Sequence, residues 1–180
     1  MVPRASASAK RINEVLAVKN SILDNPNPVH PEKNEGVVEF KDVTFIFPDA
    51  TAPSLSHISF KTKPGSTTAI IGSTGSGKSS IINLIPRFYD VNEGHVLVDG
   101  VDTRDYDKRE LREKIGFVPQ QALLFTGTIR SNIQFGKQDA SEEEIKTALE
   151  IAQATHFVSK KEKGIDAEVE HDGHHSQPRS

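Results

Sequence analysis

The chain has 180 residues, 35% hydrophobic and 26% charged, which is the composition of one globular domain with a sizeable core. Its formal charge of −3 provides no positive field, so we expect no nucleic-acid partner. No run approaches the roughly 20 apolar residues that cross a bilayer, so we expect no membrane span in this chain. The first ten residues lack the apolar segment of a secretory signal, and cysteine is absent, which favours a cytoplasmic location.

The first elements in chain order are a helix and a linker. Ile12, Val15, Leu16 and Lys19 recur at helical spacing, which predicts a helix over residues 4–23. Prolines at positions 26, 28 and 31 predict an extended linker over residues 24–35. Residues 37–41 and 43–47 are β-rich runs, and the alternation over residues 56–63 predicts a half-buried strand.

The next elements alternate between strands and helices. Residues 67–71 predict a strand covered on both faces, and a helix follows a glycine-rich loop from about Lys78 to near Pro86. Short strands are predicted over residues 95–98 and 115–118. Ser141 and Glu144 form a capping box that opens a helix. The apolar stripe predicted for that helix is Ile145, Ala148, Leu149 and Ala152.

The glycine-rich loop carries the strongest functional signal. Residues 72–79 match the pattern GxxxxGK[ST] without a mismatch, between the predicted strand 67–71 and a predicted helix. Glycines allow positive φ and keep side chains away, so that backbone N–H groups can surround a phosphate. The N-terminus of the helix adds partial positive charge. Lys78 is expected to reach the β- and γ-phosphates, and the hydroxyl of Ser79 to bind Mg²⁺.

Several classes of protein share this phosphate-binding loop. A Gly/Ser linker with a chance lysine is disfavoured, because the predicted strand and helix flank the motif. A GTPase would need an Asn-Lys-x-Asp motif, which the sequence does not contain. A small kinase stays open, although no arginine-rich lid is apparent after the loop.

Further segments point to one of these classes. They are residues 8–16, 43–48, 70–80, LIPRFYD at 84–90, GHVLVDG at 94–100, IGFVPQ at 115–120 and LFTGTIRSNI at 124–133. In this order they resemble the nucleotide-binding domain of exporter-type ATP-binding cassette (ABC) transporters, in the multidrug-exporter branch. The likeness covers about residues 4–173.

The resemblance implies a fold and a site. The fold is α/β: a P-loop NTPase (RecA-like) core with an antiparallel β-subdomain and part of a helical subdomain, incomplete at the C-terminus. Phe47 stands where the family places an aromatic ring on adenine, although Phe45 could instead be the exposed ring and Phe47 a core residue. Gln120 matches the Q-loop glutamine, which in the family touches Mg²⁺ or the attacking water. The resemblance also implies that the hydroxyl of Ser80, where the family more often has Thr, donates to a phosphate.

The complete set of site residues expected for ATP and Mg²⁺ follows from the motif and the resemblance. The nucleotide-binding residues are Phe47, Gly72, Ser73, Thr74, Gly75, Ser76, Gly77, Lys78, Ser79 and Ser80. Lys78 and Gln120 are the candidate catalytic residues, and Ser79 and Gln120 the candidate Mg²⁺ ligands. Family partners are a transmembrane domain and a second nucleotide-binding domain, at the cytoplasmic face of the plasma membrane.

Hydrolysis in this family needs residues that the sequence does not contain. No Asp-Glu dipeptide occurs, and there is no Leu-Ser-Gly-Gly-Gln signature or switch histidine. Asp99 follows an apolar run, but Gly100 succeeds it, and the resemblance assigns this stretch to a peripheral hairpin. We therefore expect residues 1–23 to be the remnant of a transmembrane-helix extension and residues 36–173 a partial nucleotide-binding domain. Residues 174–180 would be an unrelated tail, as in a truncated transporter.

Three functions stay open on the sequence alone. The chain is an ATP-binding part of an exporter that is catalytically incomplete by itself, half of a split ATPase completed by a partner chain, or a small phosphotransferase. Two acidic and histidine-rich stretches are not expected to hold metal. The aspartates at 99, 102, 105 and 107 miss EF-hand spacing, and the histidines at 171, 174 and 175 fit no zinc pattern.

Overall fold

The computed structural model describes residues 2–18, 20–121 and 123–169. They form two units, residues 1–117 and 118–180. The predicted metal-free histidine tail lies outside the described residues. Helix α1, Val2–Leu16, corresponds to the predicted first helix but ends earlier. Its apolar residues Ile12, Val15 and Leu16 are all exposed.

Unit 1 is built on a four-stranded antiparallel sheet. Its strands are β1 Val38–Phe45, β2 Leu55–Lys61, β3 Glu93–Val98 and β4 Val101–Asp102, in the order β2-β1-β3-β4. Helix α2, Lys78–Leu84, contributes Ile81 and Leu84 to the core cluster against the inner residues of the sheet, among them Phe40 and Val96. A second cluster joins Val98 to Tyr106 and to helix α3, Lys108–Glu113.

The two β-rich runs at 37–41 and 43–47 overlap one strand, β1, which covers Val38–Phe45 and is interrupted by a bulge. The pairing register shifts between Phe40 and Val43, and Asp42 has φ +49°. Strand β3 passes the bulge at Gly94, where a Cβ would lie 2.3 Å from the Asp42 carbonyl oxygen. Glycine is therefore required where the two backbones approach each other.

Two predicted strands are wrong for the described structure. Residues 67–71 and 115–118 are irregular and pair with no strand among the described residues. Ile70 packs against the core cluster, whereas Ile71 is 94% exposed and Val118 is 91% exposed. A strand buried on both faces obtains its hydrogen bonds from a neighbouring strand, and an apolar run alone does not supply that neighbour. The peripheral hairpin predicted around Asp99 is confirmed as β3–β4.

Unit 2 is mainly helical. Its elements are β5 Gly127–Thr128, α4 Ile129–Ile133, α5 Glu142–Ile151, α6 Thr155–Ser159, a 3₁₀ turn Gly164–Asp166 and β6 Glu168–Val169. Strands β5 and β6 pair antiparallel. The capping box predicted at Ser141 and Glu144 is confirmed at the start of α5. Only Ile145 of the predicted apolar stripe is buried, since Leu149 is half-buried and both alanines are exposed.

The segment predicted as a linker lacks helix and strand but is bound to unit 1. Lys108 Nζ donates to the Ile22 carbonyl at 3.0 Å and lies 3.0 Å from an Asp24 carboxylate oxygen. Further along, the Val29 amide donates to the Asp105 carbonyl at 2.8 Å. The remaining contacts are His30 with Glu110, Asn34 with Lys114, and the Glu35 and Val37 amides with the Asp99 carboxylate. Asp99 thus holds the end of this segment by accepting hydrogen bonds from two backbone amides.

Candidate functional site

The loop at residues 72–79 needs glycine at specific places. Gly75 has φ +82° and Gly77 has φ +84°, in the left-handed region that favours glycine. A Cβ at Gly72 would lie 2.5 Å from Ser76 Oγ, so a side chain there would collide across the turn. Gly77 is the N-cap residue of α2 and carries the chain from the loop into the helix. The glycines therefore create a tight turn whose inner side is backbone.

Backbone donors in this turn are open. The Ser76 amide donates to the Ser73 carbonyl at 3.3 Å. Among the residues that the structure describes, the amides of Thr74, Gly75 and Gly77 donate to no acceptor. An anion with several oxygens is the natural partner of amides left without an acceptor in a turn.

The Lys78 ammonium lies over the same turn. Its Nζ donates to the Gly72 carbonyl at 2.9 Å, to the Ser73 carbonyl at 2.6 Å and to Ser76 Oγ at 3.4 Å. The side chain thus folds back from the start of α2 to the beginning of the loop. It places a positive charge beside the open amides, as the motif predicts.

The two serines after Lys78 occupy different environments. Ser79 is exposed, so its hydroxyl is accessible to a metal ion. Ser80 is 5% exposed, and its Oγ lies 2.9 Å from Ser54 Oγ. That contact joins α2 to the residue before β2, and the donation of the Ser80 hydroxyl to a phosphate stays a prediction.

Phe47 lies in the connection between β1 and β2. Phe45, the alternative considered for the exposed ring, is 2% exposed and belongs to the core. The Phe47 ring is partly buried and packs against that core and against Tyr89. The connection ends at Ser54, whose amide donates to the Phe45 carbonyl at 2.8 Å and whose hydroxyl contacts Ser80. Through Ser54 the segment that carries Phe47 is joined to α2, the helix that begins at the end of the glycine-rich loop.

Gln120 lies in unit 2, whereas the other predicted site residues lie in unit 1. It is exposed, in an irregular segment that follows the exposed Val118. Its predicted role stays a prediction, since it rests on the IGFVPQ segment and not on a contact with the loop.

Sequence comparison decides the family. The ABC transporter family matches residues 55–169, which include the whole glycine-rich loop. The chain belongs to the ABC transporter family. Its fold is that of the ATP-binding domain of exporter-type members, and the resemblance seen in the sequence is confirmed.

Relatives of this ABC chain are exporters or ATP-binding proteins by name. It is 46% identical over 162 residues to an uncharacterized ABC transporter ATP-binding protein of Mycobacterium bovis. It is 43% identical over 161 residues to a beta-(1→2)glucan export ATP-binding/permease protein of Rhodopseudomonas palustris. Identity is 40% over 165 residues to an ATP-dependent lipid A-core flippase of Desulfotalea psychrophila. These matches cover 88%, 88% and 92% of this chain but 28%, 26% and 28% of the relatives.

A solved structure agrees with these relatives. A bacterial Atm1-family ABC exporter with ATP bound superposes with a TM-score of 0.86 at 33% identity, over 96% of this chain and 30% of that one. Within the described part of the ABC chain, no helix is both long enough and apolar enough to traverse a bilayer.

The donor set of this ABC loop suits a polyphosphate with Mg²⁺. Open amides and an ammonium group complement phosphate oxygens. Among the described residues no group of three or more His, Asp or Glu side chains could hold a metal by itself. Mg²⁺ commonly uses one or two protein oxygens together with substrate phosphates and water, so the exposed hydroxyl of Ser79 is a sufficient protein contribution.

Sequence reasoning missed two residues that support the site. Ser54 joins the Phe47 segment to α2, and Tyr89 packs against Phe47. No motif marks Ser54. Tyr89 lies within the LIPRFYD segment, and its aromatic character beside a predicted helix end was the only available signal.

Proposed function

We propose that this chain binds Mg-ATP at residues 72–79 as the ATP-binding part of an exporter's nucleotide-binding domain. We propose further that these 180 residues by themselves do not turn ATP over. The observation that carries the binding proposal is the turn itself, which contains the Lys78 ammonium and three amides that have no acceptor among the described residues.

The Lys78 ammonium group supports phosphate binding, because a phosphate oxygen can replace its present hydrogen-bond acceptors. Lys78 now donates to two carbonyls of the loop, which are neutral acceptors. Hydrogen bonds to charged oxygens are roughly twice as strong as those between neutral groups. The ammonium therefore gains by exchanging a carbonyl for a phosphate oxygen, while the amides of Thr74, Gly75 and Gly77 gain acceptors that they lack among the described residues.

The base and the metal have separate candidates. Phe47 would stack on adenine, and such stacking is worth about 1–3 kcal/mol per base. The Ser54 contact with Ser80 supports this assignment, because it joins the Phe47 segment to α2, the helix that begins at Lys78. Ser79 would supply one oxygen to Mg²⁺, and the resemblance to the family assigns Gln120 as a second ligand. When bound, Mg²⁺ neutralises phosphate charge.

Transport requires parts beyond the residues described. The names of the relatives include export ATP-binding/permease proteins and a flippase. We propose that this chain acts with a transmembrane domain and a second nucleotide-binding domain, at the cytoplasmic face of a membrane.

Calorimetry tests binding. Mg-ATP titrated into the purified chain should release heat with a saturable profile, and Lys78→Ala should weaken binding by at least about tenfold, since charge-assisted hydrogen bonds are worth about 1.5–3 kcal/mol. Lys63→Ala is the matched control, because it removes the same charge from an exposed position of unit 1 outside the loop. A flat titration of folded wild-type chain, or an equal loss in both variants, would contradict the proposal.

A turnover assay tests the second part. We expect no phosphate release above that of Lys78→Ala, because no Asp-Glu pair is present to hold Mg²⁺ and polarise water. Lysine-dependent hydrolysis by the pure chain would refute this part. Hydrolysis that appears only with a partner chain would indicate a split ATPase, and phosphate transferred to a small acceptor would indicate a phosphotransferase.

A further inference from the structure

Three aromatic rings form one cluster beside the β1–β2 connection. The centroids of Phe45 and Phe47 are 4.7 Å apart with an interplanar angle of 73°. Tyr89 contacts both rings, at 5.3 Å and 86° from Phe47 and at 5.5 Å and 49° from Phe45. Edge-to-face pairs at these distances contribute beyond the area that they bury.

The three members of this cluster differ in how firmly the fold holds them. Phe45 ends β1 and is 2% exposed, so the core fixes it. Tyr89 follows α2, the helix that begins in the phosphate loop. Phe47 lies beyond the last residue of β1, and no strand ladder holds its backbone. Its neighbour Ile46 is held by one hydrogen bond, from its amide to Asn92 Oδ1 at 2.7 Å.

The orientation of Phe47 therefore depends on its side-chain contacts, which are the core cluster and two aromatic rings. One neighbour, Phe45, is the last residue of β1, and the other, Tyr89, comes from the segment after α2. Without Tyr89 the ring would keep a single aromatic partner and gain rotational freedom. Immobilising a side chain costs entropy, and a ring that is already oriented has met that cost before the ligand arrives.

We propose that Tyr89 is a positioning residue, which holds the Phe47 ring in the orientation that receives adenine. This inference rests on the proposed function, since it assumes that Phe47 stacks on the base. Tyr89 also connects the two parts of the site, because it follows the helix that starts at Lys78 and touches the ring expected to contact the base.

The test compares a ligand that has a base with one that lacks it. Mg-ATP and Mg-tripolyphosphate are titrated into the full chain and into Tyr89→Ala, Tyr89→Phe and Phe47→Ala. Phe88→Ala is the matched control. Phe88 is 39% exposed against 36% for Tyr89, it is the preceding residue, and it has its own edge-to-face partner, Phe117, at 5.2 Å.

Tyr89→Ala should lower the affinity for Mg-ATP about threefold to tenfold, as loss of one aromatic pair implies. The affinity for Mg-tripolyphosphate should not change. Tyr89→Phe should restore wild-type affinity, because the ring and not the hydroxyl makes the contact. In the Phe47→Ala background, Tyr89→Ala should cause no further loss. Phe88→Ala should leave the ratio of the two affinities at its wild-type value.

The inference would be overturned if Tyr89→Ala lowered the affinities for both ligands equally. It would also be overturned if Tyr89→Ala lowered the Mg-ATP affinity as much in the Phe47→Ala background as in the wild type. A weakened Phe47→Ala beside an unaffected Tyr89→Ala would overturn it too, a result that leaves the proposed function intact. A wild-type chain that binds neither ligand would reject the proposed function itself.

A fluorescence measurement keeps the inference testable if Tyr89→Ala folds poorly. The chain contains no tryptophan, so Phe47→Trp places a single indole at the site. Its emission should respond to Mg-ATP and not to Mg-tripolyphosphate, and adding Tyr89→Leu, which keeps apolar bulk without a ring, should reduce that response. An undiminished response would overturn the inference.

Discussion

Replacing Gly77 by alanine should disconnect the phosphate loop from the sheet. A Cβ at this position would lie 2.6 Å from the Ser54 carbonyl oxygen and 2.7 Å from Leu55 Cδ2. Leu55 is the first residue of β2 and Ser54 precedes it, and the nearer neighbour is backbone, which cannot move away as a flexible side chain could. The variant must therefore shift α2, β2 or both.

The magnitude has two parts. Holding a residue other than glycine at φ +84° costs about 1–2 kcal/mol, and overpacking adds about 1–3 kcal/mol. The chain also contains a control for the first part. Gly75 has nearly the same φ, +82°, and a Cβ there would meet nothing within 4 Å. Gly75→Ala should thus cost about 1–2 kcal/mol, and Gly77→Ala about 2–5 kcal/mol.

Urea unfolding of both variants without nucleotide, followed by far-ultraviolet circular dichroism, measures the difference. The loss of unfolded-chain entropy that accompanies any Gly→Ala change is the same at both positions and cancels in the comparison. The expected ordering is wild type, then Gly75→Ala, then Gly77→Ala. Equal free energies of unfolding for the two variants would refute the steric reasoning.

Two further perturbations test charges. Arg87 is 5% exposed and bidentate to Asp90 at 2.7 and 3.1 Å, so Asp90→Asn should destabilise the chain by about 2–3 kcal/mol in urea unfolding, whereas exposed Asp49→Asn should be near neutral. The pKa of Glu144 is lowered from 4.5 to about 2, mainly by a hydrogen bond from Lys137 and next by one from the Ser141 amide. A lowered pKa gives stability that is present above pH 4.5 and is lost as pH falls toward 2, so helical content monitored by circular dichroism should decline there. Glu144→Gln should flatten that decline, and an identical pH profile in the variant would count against the assignment.

The elements that local chemistry determines were predictable from the sequence. The Ser141–Glu144 capping box and the turn of residues 72–79 depend on side chains and glycines a few positions apart, and both formed as expected. Residues 67–71 and 115–118 have strand-like composition but pair with no strand among the described residues. Pairing depends on distant partners, which composition does not reveal.

The site shows the same division. The motif predicts Lys78 and the glycines around it as a phosphate site, because the chemistry depends on their spacing along the chain. The contact of Ser80 with Ser54 spans 26 positions, and that of Tyr89 with Phe47 joins residues on separate elements. Such contacts follow from how α2 packs on the sheet, so they became visible only with the fold.

The segment of residues 22–37 has the composition of a flexible linker, but hydrogen bonds hold it at several points along its length. Lys108 holds it at Ile22, the Asp105 carbonyl at Val29 and the Asp99 carboxylate at Val37. A displacement applied at residue 22 is therefore not absorbed by uncoiling. It acts first on Lys108, which is in the first turn of α3 and donates to the Ile22 carbonyl.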